Sequence, residues 1–142
     1  MNTRTFALIF GIAFLGIGIA GFVPGLLSPP HTHPDVAVEQ NFGYVFGLFP
    51  ANILHHLTHI LFGVWGLLAY RSLSGARVYA KAVAVAYAVL AVMGLIPGLN
   101  STFGLIPLFG NDVWLHALLA IVAAYFGFMR RDDASDATAA RH

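Results

Sequence analysis

The chain of 142 residues is 58% hydrophobic and only 9% charged, whereas soluble domains are about half apolar and about a quarter charged. A chain with so few charged residues cannot cover the surface of a soluble protein with polar groups. The composition therefore indicates an integral membrane protein and excludes a soluble enzyme. A net charge of +1 gives no electrostatic basis for binding nucleic acid. Because the sequence has no cysteine, disulfides, iron–sulfur clusters and thiolate metal sites are excluded.

Four apolar stretches are predicted to be transmembrane helices, since a span needs about 20 residues and none shows the alternation of a barrel strand. They cover residues 6–27, 51–70, 79–99 and 113–129, of which the last is the shortest. We therefore predict an all-α, four-transmembrane-helix bundle in residues 1–131. Residues 28–50 form a long external loop, and residues 132–142 a disordered cytoplasmic tail. Gly63 and Gly66 in the second span would allow close helix contact.

The basic residues predict the orientation of these spans. All 7 lie before the first span, at the link between the second and third spans or just inside the third, or after the fourth: Arg4, Arg71, Arg77, Lys81, Arg130, Arg131 and Arg141. The other two connections contain acidic residues but no lysine or arginine. By the positive-inside rule, both termini are cytoplasmic and these two connections are external.

Two fragments of the sequence recur, which indicates an internal duplication. GFVPG at 21–25 recurs as GLIPG at 94–98, an offset of 73, and FGLFP at 46–50 recurs as FGLIP at 103–107, an offset of 57. Both predicted hairpins enter the membrane from the same side. We therefore expect two tandem helical hairpins, arranged as parallel repeats about an axis along the membrane normal.

The second offset pairs His55 with Asp112 and His59 with His116. In each helix the two residues are four apart and so share one face. Counted from the basic ends, all four lie about 18–27 Å above the cytoplasmic boundary, in the outer leaflet of a core about 30 Å thick. Three imidazoles and one carboxylate are a typical ligand set for a first-row metal ion. Zinc fits this set best, and iron, copper or manganese also accept these ligands.

Other polar residues lie near this group. Asn52 falls on the face of His55 and could hydrogen-bond a ligand as an outer partner. His31 and His33, in the external loop, could supply or cap a ligand, or could simply be solvated. His56 points about 100° away from His55 and is not expected to join them.

Two alternatives to a metal site remain open. The histidines could form hydrogen bonds between helices or with interfacial water, without any ligand. They could also ligate a haem or chlorophyll in an accessory or structural subunit that packs against other membrane subunits or a second copy of the chain. Four protein ligands would leave no open position for a substrate water, which argues against a hydrolytic enzyme.

The chain also resembles a known family. The residues that carry the resemblance are Asn52, His55, His59 and Gly63, the link from Arg71 to Tyr79, the run Gly104 to Pro107, and Asp112 with His116. Together they resemble the bacterial four-helix membrane proteins catalogued as domain of unknown function 4383, over residues 6–129. The resemblance implies a multi-pass protein of the bacterial inner membrane and implies no particular reaction or substrate.

Overall fold

A computed structural model describes residues 1–132 of the chain. This part is mostly helical, as predicted. Its four long helices are α1 (Thr3–Ala20), α2 (Ile53–Ala69), α3 (Leu73–Met93) and α4 (Asn111–Ala124), and α4 continues into a π-helical turn, Tyr125–Met129.

Three of these helices are long and apolar enough to cross a membrane: α1, α3, and α4 with its π-helical turn. The apolar helix α2 has 17 residues and is about 25 Å long. The prediction that the last span is the shortest was therefore wrong, because α4 and its turn together contain 19 residues. Residues 21–27, placed in the first predicted span, lie outside α1, since Pro24 begins a short 3-10 turn.

Side-chain caps explain where α1 and α3 begin. Asn2 precedes α1 and accepts a hydrogen bond from Thr5 N at 2.8 Å. Ser72 does the same for Gly75 N at 3.0 Å, so that α3 begins before the predicted Tyr79. Each cap satisfies one backbone donor that the first helical turn leaves unpaired.

The helices pack chiefly as two hairpins, α1 against α2 and α3 against α4. Within the first hairpin, glycines bring the two backbones into contact. A Cβ atom on Gly63 would lie 2.5 Å from Leu15 N, and one on Gly66 would lie 2.7 Å from Gly11 Cα. The expectation that Gly63 and Gly66 permit close helix contact is confirmed.

Most of the buried positions of the first hairpin recur in the second. In α1 and α3 they are related by the offset of 73: Thr3, Phe6, Ala7, Gly11, Phe14 and Gly18 correspond to Ala76, Tyr79, Ala80, Ala84, Tyr87 and Ala91. In α2 and α4 they are related by the offset of 57: His55, His59, Gly63 and Gly66 correspond to Asp112, His116, Ala120 and Ala123. The same helix faces are therefore buried in both hairpins.

The connection between α1 and α2 contains a small antiparallel sheet that the all-α prediction missed. Its strands are β1 (Leu27–Ser28), β2 (Gly43–Val45) and β3 (Phe49–Ala51), in that order. Phe46 and Gly47 turn the chain from β2 into β3 with φ angles of 54° and 72°. Glycine is suited to such positive φ angles because it has no Cβ.

Residues 21–52 and 94–110 together form a cap over the end of the bundle where α2 and α4 begin. Ala37 N donates to Gly104 O at 2.8 Å. Asn111 Nδ2 donates to Leu48 O at 3.0 Å. The first bond joins the two connections to each other and the second joins the first connection to α4, so the cap is one unit across both hairpins.

Asp132 ties the opposite end of the bundle together. Its carboxylate accepts a hydrogen bond from Thr3 N at 3.0 Å and lies 3.4 Å from Arg77 Nη2 and 3.5 Å from Arg130 Nε. This residue was predicted to begin a disordered tail, but it bridges α1, α3 and the end of α4. The remainder of that predicted tail, 133–142, lies outside the described residues.

We expect Asp132→Asn to lower the free energy of unfolding at neutral pH by about 1 kcal/mol. Burial opposes the charged form, but the bonds from Thr3 and the nearby arginines outweigh it and lower the pKa of Asp132. A carboxyl with a lowered folded-state pKa stabilises the fold above its unfolded pKa of about 3.9, and this contribution is lost as pH falls through the folded value. Thermal unfolding in detergent at several pH values measures both effects. Asp35→Asn, at an exposed position of the cap, is the matched control. An equal loss of stability in both variants would contradict the stabilising role of Asp132.

Candidate metal centre

Three of the predicted ligands, His55, His59 and His116, form a compact cluster. One ring nitrogen from each residue lies within 4.8 Å of the other two, and all three side chains are buried. The ring centroids of His55 and His59 are 4.5 Å apart, and those of His55 and His116 are 5.9 Å apart. Such spacing allows the three rings to reach one ion after small side-chain movements.

Asp112 adjoins this cluster at one edge. Its Oδ2 lies 3.8 Å from His55 Nδ1, and the residue is 2% exposed. This distance is longer than a hydrogen bond. Burial, assisted by the negative charge of Asp112, raises the pKa of the Tyr44 phenol in β2. Asp112 is thus close to His55 and acts electrostatically on the cap through Tyr44.

The two hairpins contribute to the cluster in equivalent ways. Helix α2 supplies His55 and His59, one turn apart, and α4 supplies Asp112 and His116 with the same spacing. Aromatic side chains hold the deeper rings: Phe14 stacks on His59 at 5.8 Å, and Tyr87 meets the ring of His116 edge-on at 5.1 Å.

Sequence reasoning missed Phe14 and Tyr87 as neighbours of the site. The signal that could have found them is the offset of 73, which relates these two positions just as the offset of 57 relates His59 to His116. Each histidine thus has an aromatic neighbour at the equivalent position of its own hairpin.

Several polar atoms of the site have no hydrogen-bond partner within residues 1–132. They are His55 Nδ1, His116 Nδ1 and Asp112 Oδ2. A buried polar group left unpaired costs about 1–3 kcal/mol, and such groups are rare in native proteins. Imidazole nitrogens and a carboxylate oxygen are ligands that first-row metals accept, so these residues fit a metal ion.

Asn52 is placed differently from its predicted role. Its Nδ2 donates to Val38 O at 2.9 Å and to Leu105 O at 2.7 Å, and its Oδ1 accepts from the backbone N of His55 at 3.1 Å. The predicted bond from Asn52 to a ligand side chain is thus replaced by bonds to backbone groups, because Asn52 is the N-cap of α2. It positions His55 by fixing the start of that helix.

The loop histidines do not join the cluster. His31 and His33 are both exposed. His31 stacks on Tyr44 with a centroid distance of 4.2 Å, and Nδ1 of His33 lies 2.7 Å from Pro34 O. Of the two interpretations of His31 and His33, as ligands or as solvated loop residues, the geometry favours solvated loop residues.

His56 lies on another face of α2, as its spacing predicted. Its Nε2 is 3.2 Å from Asn41 O, and its side chain is fully buried. The ring fills the space beside Gly21, where a Cβ atom would overlap it. His56 therefore holds the cap against α1 and is separate from the cluster.

A cavity of about 230 Å³ adjoins the cluster. Side chains of α1, α4 and the cap form its apolar walls. Its polar lining residues are His55, His59, Asp112 and His116. The unpartnered atoms of the site therefore border a largely apolar cavity.

Comparisons with known proteins identify a family and give no function. No curated protein and no solved structure matches the chain. The family described as "Domain of unknown function (DUF4383)" matches residues 4–129, which is most of the chain and includes all four helices and the cluster. The chain belongs to this family, whose function its description leaves open.

Proposed function

We propose that the protein is an integral membrane protein that binds one first-row metal ion through His55, His59 and His116. One observation carries the proposal: three buried imidazoles from two hairpins offer nitrogens within 4.8 Å of one another. In so dry a site, rings without partners would be costly. A shared ion would supply a partner for the unpaired Nδ1 atoms of His55 and His116, and His59 is close enough to bind the same ion.

Zinc is the metal that this donor set fits best. Zinc accepts imidazole and carboxylate ligands; it is almost always four-coordinate in structural sites, and catalytic sites combine three protein ligands, such as three histidines, with one exogenous ligand. The three histidines supply three positions. The carboxylate of Asp112, next to His55, is the candidate for the fourth or the hydrogen-bond acceptor for an exogenous ligand. Iron, copper and manganese remain candidates because they also accept nitrogen and oxygen ligands.

The ion would join the two hairpins, because α2 and α4 belong to different hairpins and each supplies ligands. An ion in this position would either stabilise the packing of the two hairpins or be held there for transfer, so we propose a structural or metal-handling role for the site. The alternative, a tetrapyrrole in an accessory subunit, is less well supported. The adjoining cavity of about 230 Å³ is below the range of about 300–1,000 Å³ for drug-sized ligands, and a tetrapyrrole is larger than those.

We further propose that all four helices cross the bacterial inner membrane as two duplicated hairpins. The recurrence of the buried positions at offsets of 73 and 57 supports the duplication. Helix α2, with 17 residues, is at the lower limit of about 17–25 residues for a span. The cap beside it supplies further apolar surface at the same end.

The basic residues predict the orientation of these crossings. Reporter fusions at Gly75, in the α2–α3 link, and after residue 142 should report the cytoplasm, whereas a fusion near Asp35 should report the exterior. A fusion at Gly75 that reports the exterior would place the histidine cluster in the inner leaflet and contradict the proposed orientation.

Elemental analysis of the purified protein, with an absorption spectrum of the same sample, tests the metal proposal. We expect about one metal ion per chain and, for zinc, no visible absorption. Intense visible bands with equimolar iron or magnesium would favour the tetrapyrrole. A protein with no metal and no visible absorption, even after incubation with zinc, would contradict both and leave the histidines as interhelical hydrogen-bonding groups.

A further inference from the structure

The cavity beside the histidine cluster opens on the side of the bundle. Ile9, Ala13 and Ile17 of α1 form one wall, opposite Leu115 and Leu119 of α4. Of these, Ile9 and Ala13 are exposed on the lateral surface. That surface is apolar and lies between two helices that are each long enough to cross a membrane. The mouth of the cavity therefore faces the hydrocarbon of a bilayer.

The opening exists because α1 and α4 separate toward the cap. Near the opposite end they meet through Phe6 and Phe126, whose rings stack with centroids 4.8 Å apart. Beyond this contact, α1 packs on α2 and α3. A gap remains between α1 and α4, roofed by Phe49, Pro50 and Ala51 of the cap.

The dimensions of the cavity favour a single hydrocarbon chain. From Ile9 to Ile17 its wall runs about 12 Å along α1. Its volume of about 230 Å³ exceeds that of a cavity of about 150 Å³ that holds benzene and is below that of drug-sized pockets, about 300–1,000 Å³. A long space of small volume is narrow, so it suits one extended chain rather than a fused ring system.

The polar atoms at the inner end of the cavity determine which head group a bound chain can carry. Asp112 Oδ2 is buried and has no hydrogen-bond partner within residues 1–132, so a ligand that bonds to it removes the cost of an unpaired polar atom. A hydroxyl group can donate to this oxygen and also offer its own oxygen to an imidazole N–H or to an ion. An alkane would leave the buried oxygen unpaired.

We propose that a single-chain lipid with a hydroxyl head group, of which a long-chain alcohol is the simplest example, enters from the bilayer between α1 and α4. Its chain lies along Ile9, Ala13 and Ile17, and its hydroxyl meets Asp112 beside the histidines. This inference rests on the proposed metal centre, which holds the histidine rings in place at the inner end of the cavity.

The test uses a long-chain alcohol with a photoactivatable group in its chain, added to the purified full-length protein in lipid nanodiscs. Peptide mapping should place the label on the cavity faces of α1 and α4. Ala13→Trp, which fills the mouth, should reduce labelling about tenfold without changing the metal content. Ala88→Trp, at an exposed position of α3 outside the cavity lining, is the matched control and should label like the parent.

A photoactivatable alkane of the same length tests the head group. We expect it to label the cavity about tenfold less, since an alkane cannot form the hydrogen bond to the buried Asp112 oxygen. Labelling spread evenly over all lipid-facing helices, or unaffected by Ala13→Trp, would overturn the proposal. Equal labelling by the alkane would overturn the role of Asp112. Metal analysis of each sample separates these results from a failure of the metal centre itself.

Discussion

His59→Ala and His116→Ala should each weaken metal binding by more than about 100-fold, the upper end of the effect of changing residues that only support metal ligands. Each removes one of three imidazoles and leaves the other two with an incomplete set of protein ligands. An ion held at 100 times its dissociation constant stabilises a fold by about 2.7 kcal/mol. Metal content and thermal unfolding, with and without chelator, are the measurements. The parent should lose stability on chelation, and the two variants should be insensitive to it.

His56→Gln is the matched control for these variants. His56 is buried on the same helix, next to His55, but its Nε2 faces Asn41 O at 3.2 Å, and glutamine can retain that bond. The metal content of the His56→Gln variant should equal that of the parent. His56→Ala is a poorer control, because it would open a cavity beside Gly21 and destabilise the fold for a separate reason. Chelator-insensitive stability in the parent, together with no bound metal, would contradict the metal centre.

Asp112→Asn tests whether the carboxylate is a ligand or a neighbour. The substitution keeps the size of the side chain and removes its charge. Metal affinity that falls as far as in His116→Ala would make Asp112 the fourth ligand. Affinity close to that of the parent would assign the fourth position to another oxygen donor.

The helices and the histidine cluster could be predicted because both depend on local periodicity. The 3.6-residue period of a helix places His55 and His59 on one face of α2, independently of the tertiary structure. The offset of 57 then relates that face to the face of α4 with Asp112 and His116. Residues separated by 57 positions could be aligned by sequence alone because the fragment FGLFP at 46–50 recurs as FGLIP at 103–107.

The cap could not be predicted in the same way. Its strands are only 2 or 3 residues long, too short to show an alternating pattern. They are held by pairing between distant segments, such as Ser28 with Tyr44. The role of Asn52 was missed for a related reason: its partners, Val38 O and Leu105 O, are backbone groups of the cap, whose positions only the folded chain defines.

Replacement of Gly63 by alanine should destabilise the protein by about 2 kcal/mol, within the range of about 1–3 kcal/mol for overpacking. The new Cβ atom would lie 2.5 Å from Leu15 N. The clash is with backbone, so no side-chain rotation relieves it and α1 must move away from α2. The higher helix propensity of alanine, worth at most about 1 kcal/mol, does not offset this loss. Thermal unfolding in detergent measures the change.

Gly16→Ala is the control, because the same substitution there meets no atom within 4 Å and should be neutral or slightly stabilising. Gly63 lies one turn beyond His59 on α2, so separation of α1 from α2 would also shift His59 and its stacking partner Phe14. We therefore expect Gly63→Ala, but not Gly16→Ala, to lower metal affinity as well as stability. Unchanged metal affinity in a clearly destabilised Gly63→Ala would show that the cluster does not depend on close packing of the first hairpin.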